Sequence, residues 1–244
     1  MGYYNRKSLF SYTLRTIRET AHDDYEIVIV DDASNEENRL EDIASDIKLI
    51  RIDPEEKTWI NPCVAYNKGF RACQGDVILI QNPECCHIGD VISHAAKTPR
   101  GNYHAYSCYY GHTKLLSRLY RRGTVPSHEE GLSLIDPNGT WYTHVKYRPA
   151  ALHFMSAINR DDLWKLNGFD ERYANGIAYE DADFLRRATN LLEVVILDTE
   201  HPFCIHQQHP HVKYIPELTK PNEERYFAEE KDSNWVAQKG IVNG

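Results

Sequence analysis

Short apolar segments alternate with amphipathic segments along the first part of the chain. Three short apolar, β-branched runs occur within 25–34, 47–53 and 76–81, and continuous apolar character is typical of parallel strands covered on both faces. Apolar residues recur at helical spacing in 8–20 and in 61–75. Strands and helices in alternation predict a parallel, doubly wound α/β sheet.

The later part of the chain has a less regular pattern. Residues 97–150 are rich in Tyr, His, Gly, Pro and Arg, which favours strands and long loops. A strand followed by a short helix is predicted over 153–168, and another helix begins at the acidic cluster around Glu180. The polar segment 35–46 is also predicted to be a helix, and 216–244 is predicted to be a polar tail with some helix.

Composition and charge exclude several classes of protein. At 244 residues, 41% of them hydrophobic, the chain is long enough for one large α/β domain with appendages. A net charge of −8 argues against a nucleic-acid binder, which normally has a basic face. No apolar run is long enough for a transmembrane helix, and the N-terminal segment lacks the apolar core of a signal peptide. We therefore expect a cytoplasmic location, with membrane association through a partner left open.

The cysteines indicate a reducing compartment. They include an adjacent pair, have no CxxC spacing and fall mostly inside apolar segments. Buried free thiols are therefore a better interpretation than disulfides. The six positions are Cys63, Cys73, Cys85, Cys86, Cys108 and Cys204.

Acidic residues follow two of the predicted strands. Asp31 and Asp32 end the first β-branched run, and Glu84 comes shortly after the third. In doubly wound sheets ligands bind beyond the carboxyl ends of the strands. A carboxylate there can accept a hydrogen bond from a nucleobase or a ribose, or bind a hard divalent cation. Each acid taken alone is as easily a helix cap or a solvated loop residue.

Two further clusters contain residues that could take part in catalysis or metal binding. Glu180, Asp181 and Asp183 lie within four positions, where a helix first turn favours acids and Asp183 can pair with an arginine one turn later. Asp181 has no such local partner. The segment after position 204 supplies His206, His209 and His211, and imidazole is a common metal ligand, although surface histidines are frequent in a chain with 12 of them.

The order of these motifs resembles that of the inverting GT-A glycosyltransferases of the glycosyltransferase family 2 type. The motifs are YYNR at 3–6, the strand ending in Asp31 and Asp32, Asn67-x-Gly69, GDVILIQNPE at 75–84, NGFDERY at 167–173, YEDADF at 179–184 and a downstream histidine. The segment 154–187 also resembles the C-terminal catalytic segment of the β-1,4-galactosyltransferases. The resemblance covers roughly residues 3 to 211, and none of its motifs is decisive alone.

The resemblance implies a fold and a division of the chain. It implies a GT-A fold, which is Rossmann-like with a mostly parallel central sheet flanked by helices. One GT-A domain is expected over 1–215, with a nucleotide-binding half at 1–96 and an acceptor and catalytic half at 97–215. Residues 216–244 form the tail.

The resemblance also implies roles for individual residues. Asp32 with Asp31 would hold the base or ribose of a nucleotide sugar, and Asn5 and Asn67 are also placed at the nucleotide. Glu84, with His206 and His209, would bind Mn²⁺ or Mg²⁺ bridging the diphosphate.

Asp181 would be the general base that deprotonates the acceptor hydroxyl. Glu180 would bind a sugar or orient that base. The expected partners are a nucleotide sugar, with a uridine diphosphate sugar favoured, and a carbohydrate acceptor. Trp141 and Tyr142 are expected to stack on sugar, with burial in the core equally open, and Ile177 and Tyr179 are expected to shape the sugar pocket.

The sequence departs from the family pattern at three points. The QNPE segment carries one acid where the family motif has two, so either a reduced metal affinity or assistance from the amide oxygen of Asn82 is expected. Tyr66 stands where many relatives place an arginine. No strand is expected before YYNR, and a truncated chain, or a segment or partner chain that fills the gap, would account for its absence.

These departures leave alternatives open. The leading hypothesis is a metal-dependent glycosyltransferase that acts in polysaccharide or glycan synthesis. The runner-up is a degenerate GT-A domain that binds nucleotide or glycan without turnover. A dehydrogenase-like nucleotide binder is disfavoured because no GxGxxG follows a strand.

Overall fold

The computed structural model describes residues 1–22, 24–210, 214–229 and 233–244, and these contain eleven strands and eight α-helices. The strands are β1 Gly2–Tyr3, β2 Ile27–Asp31, β3 Ile47–Arg51, β4 Val77–Gln81, β5 Cys85–Ile88, β6 Asn102–Tyr106, β7 Cys108–Gly111, β8 Trp141–Thr143, β9 Met155–Asn159, β10 Glu193–Leu197 and β11 Phe203–Gln207. The helices are α1 Lys7–Thr20, α2 Cys63–Ala72, α3 Val91–Ala95, α4 Thr113–Arg121, α5 His128–Leu134, α6 Arg160–Lys165, α7 Glu180–Leu191 and α8 Pro216–Glu229.

The strands form three hydrogen-bonded groups. One is the parallel group β1-β2-β3, and the second has the order β10-β6-β9-β4 and mixes parallel and antiparallel pairs. In the third group, with the order β5-β11-β7-β8, β11 pairs antiparallel with β5 and parallel with β7. This is a mixed α/β architecture. Of the three strands predicted to be parallel, β2 and β3 pair parallel with each other, whereas β4 pairs antiparallel with β9.

Residues 2 and 3 form a strand, contrary to the prediction that none precedes YYNR. Gly2 lies opposite Val30 and Tyr3 opposite Asp31, parallel to the carboxyl end of β2. Among the described residues no strand continues β1 towards the amino end of β2. A groove of about 320 Å³ lies there, lined by residues of β2 and β4, by the segments that precede these two strands, and by α2 and α3. β1 therefore extends the parallel group at the end of β2 where the acids lie, and the groove is at the other end.

Buried side chains from helices and strands form the core around this sheet. The largest cluster joins α2, α6 and α7 to β4, β6 and β9, with Phe70, Ile80, Tyr103, Phe169 and Phe184 among its members. Every residue of β2 is buried, as expected for a parallel strand with apolar neighbours on both faces. This packing fixes the carboxyl ends of β2 and β4, which are followed by the candidate site residues Asp32 and Glu84.

Two further predictions of local structure were wrong. Residues 97–150 contain α4 and α5 in addition to strands. The predicted helix at 35–46 is reduced to one 3₁₀ turn at Glu36–Asn38, because a segment that is polar on nearly all sides has little apolar face to bury.

All six cysteines are free thiols, and all but Cys73 are buried. Among the described residues, no helix combines the length and the apolar character that crossing a bilayer requires.

Candidate active site

A tight turn after β4 presents Glu84. The amide of Cys85 donates to the carbonyl of Asn82 at 3.1 Å, and Pro83 occupies the second position of the turn, where its fixed φ is favourable. The backbone amide of Gln207, at the end of β11, donates to the Glu84 carbonyl at 3.0 Å. The turn is thereby tied to β11, and its acid lies beside the histidines of that strand and the following loop.

Glu84 is the centre of a buried cluster of potential cations. Its Oε1 lies 3.3 Å from His206 Nε2, 3.2 Å from His209 Nε2 and 3.2 Å from Arg6 Nη1. Burial alone would raise the pKa of Glu84, but its contacts with His206, His209 and Arg6 hold it well below its usual range. Burial lowers the pKa of His206, but Glu84 outweighs burial and raises it.

The donor atoms of this cluster suit a divalent cation. One ligand atom each from Glu84, His206 and His209 lies within 4.8 Å of the others. Glu84 Oε2 is buried without a hydrogen-bond partner, and a buried carboxylate oxygen left unpaired is costly unless it binds something. A carboxylate with two imidazoles fits Mn²⁺ or a similar ion. His211, the third predicted histidine, lies outside the described residues.

The three acids that open α7 have different surroundings. Asp183 is fully buried and pairs with Arg186 at 2.8 Å and with Arg187 at 2.8 Å. Arg187 also donates to the carbonyls of Leu166 and Gly168. Arg187 therefore binds α7 to the NGF turn, and Asp183 holds Arg186 with one carboxylate oxygen and Arg187 with the other.

Glu180 and Asp181, unlike Asp183, have no arginine or lysine partner among the described residues. Glu180 is buried and accepts a hydrogen bond from Asn61 Nδ2 at 2.5 Å. Burial, followed by the negative charge of Asp181, raises its pKa to about 7. Asp181 is partly exposed, and its side chain accepts from the Ala182 amide. Within the described part of the chain Asp181 makes no ion pair, so its carboxylate is free to accept a proton from an incoming group.

His153 and Tyr66 are two buried rings on which the charges of Glu84 and of an acid of α7 both act. Burial lowers the pKa of His153, and the charges of Asp181 and Glu84 both oppose that change, so both acids lie near this ring. Tyr66 packs edge-on against His153 with ring centroids 5.4 Å apart. Its hydroxyl donates to Asn82 Oδ1 at 2.8 Å, so Asn82 adjoins the site and its amide oxygen is held by Tyr66. The His153 Nδ1 atom is buried without a partner.

The two acids at the end of β2 are each paired with a cation. Asp31 Oδ2 accepts from Arg51 at 2.6 Å, and its Oδ1 accepts from the Ser34 amide. Asp32 accepts from Lys57 Nζ at 2.8 Å and from Trp59 Nε1 at 2.9 Å.

The 57–61 loop connects these acids to the first turn of α7. Lys57 and Trp59 bind Asp32, while Asn61, a few residues later, binds Glu180. The N-terminal segment makes a second connection, because the Tyr4 ring lies under Lys57 at 4.3 Å and Arg6 contacts Glu84. Stretches that are distant in the sequence thus meet in one region.

Asn5 lies at the edge of this region, whereas Asn67 does not face it. Asn5 Oδ1 accepts from the Asn35 amide, which places it at the loop after β2. Asn67 is fully buried, and its amide bonds Phe169 and Glu171. The expectation that Asn67 contacts a nucleotide is corrected, because its donors are used in holding α2 to the NGF turn.

The two predicted aromatic platforms have different positions. Trp141 is buried in the core beside Tyr109 and donates to the Pro137 carbonyl, so the core interpretation applies and its faces are not available to a sugar. Tyr142 is partly exposed, and its ring centroid lies 4.6 Å from that of His206. Tyr142 therefore borders the Glu84 cluster, as does Phe154, whose ring centroid lies 5.6 Å from that of His206.

The residues preceding Glu180 pack mainly against α8. The Tyr179 hydroxyl donates to Glu223 at 2.8 Å, and the Ile177 amide donates to the Leu218 carbonyl. Ala178 and Tyr179 have φ values of 63° and 70°, which non-glycine residues seldom adopt. This strained entry to α7 sets the direction of Glu180 and Asp181.

Several residues of the region were not predicted to take part. Arg6 belongs to the YYNR motif, so a signal for it existed, and Tyr66 was noted only as a departure. His153 is a lone histidine in an apolar segment and Asn61 precedes a proline, and neither pattern indicates a site. Arg51 ends β3 and Lys57 follows it by six residues, and the sequence does not distinguish either from an ordinary surface cation.

The comparison with protein families identifies residues 1–161 as a match to the model of glycosyl transferase family 2. No curated protein sequence matches the chain.

Similar solved structures include three glycosyltransferase-type proteins. They are the mannosyltransferase PcManGT from Pyrobaculum calidifontis in complex with GDP-Man and Mn²⁺ (TM-score 0.55, 16% identity, 84% of this chain and 54% of that one), GalNAc-T7 with UDP, GalNAc and Mn²⁺ (0.65, 14%, 95% and 48%), and TarS from S. aureus (0.62, 13%, 99% and 40%).

The chain spans about half of the first two structures and 40% of the third. Because the sequence identities are 16% or lower, the similarity to these structures shows the fold alone. The likeness of 154–187 to the β-1,4-galactosyltransferases lies almost wholly beyond the matched residues and stays a prediction. Because residues 1–161 of 244 match the family model and the fold agrees, the chain belongs to glycosyl transferase family 2 and has a GT-A fold.

Proposed function

We propose that this protein is a metal-dependent, inverting glycosyltransferase that transfers a sugar from a nucleoside diphosphate sugar to a hydroxyl group of a carbohydrate. The observation that carries the proposal is the cluster of Glu84 with His206 and His209, whose ligand atoms lie within 4.8 Å of one another; the charges of Glu84 and Asp181 both act on the buried ring of His153. A metal-binding carboxylate and a carboxylate without a cation therefore border one region. Displacement of a diphosphate by a hydroxyl requires both.

Asp181 is the general base in this proposal. Its carboxylate has no ion pair among the described residues, and it begins a helix whose rigid first turn holds it in place. A base must come within about 3 Å of the hydroxyl that it deprotonates. A single base with no nucleophilic partner implies inversion at the anomeric carbon, by analogy with the two-carboxylate logic of glycosidases.

Glu180 acts on a neutral sugar hydroxyl or on the orientation of Asp181. With a pKa raised to about 7, it is partly protonated near neutral pH and can donate as well as accept a hydrogen bond. Its bond from Asn61 fixes one oxygen. Glu180 can therefore position a sugar hydroxyl, either by donating a hydrogen bond to it or by accepting one from it.

Glu84, His206 and His209 are the proposed ligands of Mn²⁺ or Mg²⁺, which would neutralise the charge on the departing diphosphate. Arg6 contacts the same carboxylate and adds positive charge beside the phosphates. Asp32 is the proposed contact for the base or ribose.

A uridine diphosphate sugar is the proposed donor. GalNAc-T7 was solved with UDP and the Pyrobaculum enzyme with GDP-Man, so a test must include both bases. Tyr142, beside His206, is the proposed stacking surface for a sugar. The acceptor is proposed to be a growing polysaccharide or another glycan.

Release of nucleoside diphosphate from a panel of UDP- and GDP-sugars, with and without a carbohydrate acceptor, tests the proposal. We expect release that depends on Mn²⁺ and is abolished by a chelator, and a product with inverted anomeric configuration by NMR. Donor binding without release from any donor would favour the degenerate domain. Full release in the presence of chelator would contradict the metal assignment.

A further inference from the structure

Three cysteines of adjacent strands converge behind the Glu84 cluster. Cys204 on β11 lies opposite Cys108 on β7, and His206, two residues further, lies opposite Cys85 on β5. Positions two apart in a strand share one face, so all three thiols point to the same side of the sheet. Their Sγ atoms lie within 4.8 Å of one another, and all three residues are fully buried.

These thiols differ from the other cysteines in their contacts. Cys86 donates to the Ile205 carbonyl at 3.1 Å and Cys73 donates to the Gly69 carbonyl at 3.2 Å. The Sγ atoms of Cys85, Cys108 and Cys204 instead lie beside one another, within 4.8 Å. The group is therefore a sulfur cluster rather than three thiols packed independently.

We propose that Cys85, Cys108 and Cys204 form a three-sulfur site for a soft, thiophilic divalent cation. Metal–sulfur bonds of about 2.3 Å place three sulfurs around one ion about 4 Å apart, which lies within the 4.8 Å limit of this cluster. Thiolate ligands select soft ions, whereas carboxylate favours Mn²⁺ and Mg²⁺. The two clusters are thus expected to bind different ions.

The chemistry of binding is a proton exchange. Three S–H bonds break, three metal–sulfur bonds form, and three protons leave to solvent, which gives a complex with one net negative charge. Met155, another sulfur-containing residue, packs in the same core cluster. Because the sulfurs are on β5, β7 and β11, a bound ion cross-links the strands that carry Cys85 and His206 and fixes the position of the Glu84 turn.

Cadmium is the probe for this site. The full chain is refolded with Cd²⁺ under reducing conditions, since the thiols are buried, and unbound metal is removed. Ultraviolet charge-transfer absorption reports cadmium–thiolate bonds, and ¹¹³Cd NMR separates sulfur-rich from oxygen- and nitrogen-rich coordination. The absorption does not report metal bound by Glu84, His206 and His209, which contain no sulfur.

We expect one sulfur-rich cadmium per chain in the unaltered protein. Cys108→Ser is expected to lose most of the charge-transfer absorption, while the matched controls Cys86→Ala and Cys73→Ser keep it. A cadmium spectrum with only oxygen and nitrogen ligands in the unaltered protein would overturn the proposal without reference to any variant. Equal absorption in Cys108→Ser would overturn it as well, provided that circular dichroism shows a folded variant.

Discussion

Two pairs of adjacent acids, Asp31–Asp32 and Glu180–Asp181, lie in the same region of the molecule in opposite electrostatic surroundings. The β2 pair is neutralised, since Arg51 binds Asp31 and Lys57 binds Asp32. The α7 pair has no ion pair among the described residues, and Glu180 has a raised pKa in consequence of burial and of Asp181. Similar sequence patterns, two acids at the end of a strand or the start of a helix, thus produce different chemistry.

The difference teaches which acids can act on protons. A carboxylate held by a cation stays ionised and is rigid, so it suits hydrogen bonding to a ligand. A carboxylate beside another acid and without a cation holds its proton more readily, so it suits proton transfer or donation. Asp183, two residues after Asp181, follows the first pattern through Arg186 and Arg187.

The largest expected effect is on catalysis at Asp181. Replacement by Asn removes the proposed base, and kcat for sugar transfer is expected to fall by roughly 10²- to 10⁴-fold. The midpoint of urea unfolding should change little, because the lost group has no ion pair in the described chain. Rates are measured as nucleoside diphosphate release at saturating donor.

Asp183→Asn is the matched control for that substitution. It breaks a buried ion pair, so its expected effect is on stability, a loss of roughly 3–5 kcal/mol in the free energy of unfolding. If Asp181→Asn kept its full rate, Asp181 would not be the base. If both variants lost only stability, the distinction between the two acids would fail.

The next effect concerns Glu84, whose carboxylate is surrounded by His206, His209 and Arg6. Glu84→Gln is expected to weaken Mn²⁺ binding by more than about 100-fold, since altering groups that merely support metal ligands costs 10- to 100-fold. Isothermal titration calorimetry measures the affinity. Glu55→Gln, in an exposed loop, should leave it unchanged, and unchanged affinity in Glu84→Gln would remove the metal assignment.

The fold was predictable where the residues that determine a strand or a helix all lie in one short stretch of the sequence. The apolar runs of β2, β3 and β4 and the strand–helix pair β9–α6 were found because a strand or a short helix is set by neighbouring residues. α5 carried a signal that was not used, because Ser127 and Glu130 form a capping box that is visible in the sequence. α4, although amphipathic, begins at the unusual cap His112.

The site was predictable only in part, because pairing depends on contacts between distant residues. The acids and histidines could be proposed from their positions after strands. Their cations could not, since Lys57 is 25 residues from Asp32 and Arg6 belongs to a different element from Glu84. Asn67 and Trp141 were placed by motif and residue type, and their burial follows from how α2 and β8 pack.

A smaller effect is expected at Asp32. Asp32→Asn keeps a hydrogen-bond acceptor for Trp59 but removes the charge that holds Lys57, so donor affinity should fall about 10-fold, the size of one charged hydrogen bond. The rate at saturation should stay within about twofold. Asp31→Asn, with its bonds to Arg51 and Ser34 inside the protein, should lower stability instead, and equal losses of affinity in both variants would contradict the comparison.

The smallest effect is the pH dependence of stability that Glu180 causes. Its pKa is raised from an ordinary value of 4.5 to about 7 by burial and by Asp181, so between these pH values the folded state holds a proton that the unfolded state has released. Stability from this group is therefore greatest below about pH 4.5 and falls as pH rises towards 7. Glu180→Gln should show a smaller loss of unfolding free energy between pH 5 and pH 8 than the unaltered protein.

Asp181→Asn offers a second test of the same coupling. The charge of Asp181 is one cause of the raised pKa of Glu180, so its removal should lower that pKa and move the stability loss to lower pH. Urea unfolding at pH 5, 6, 7 and 8 would measure the shift in all three proteins. Identical pH profiles would mean that the two acids of α7 do not interact, and the contrast with the cation-paired acids of β2 would then rest on burial alone.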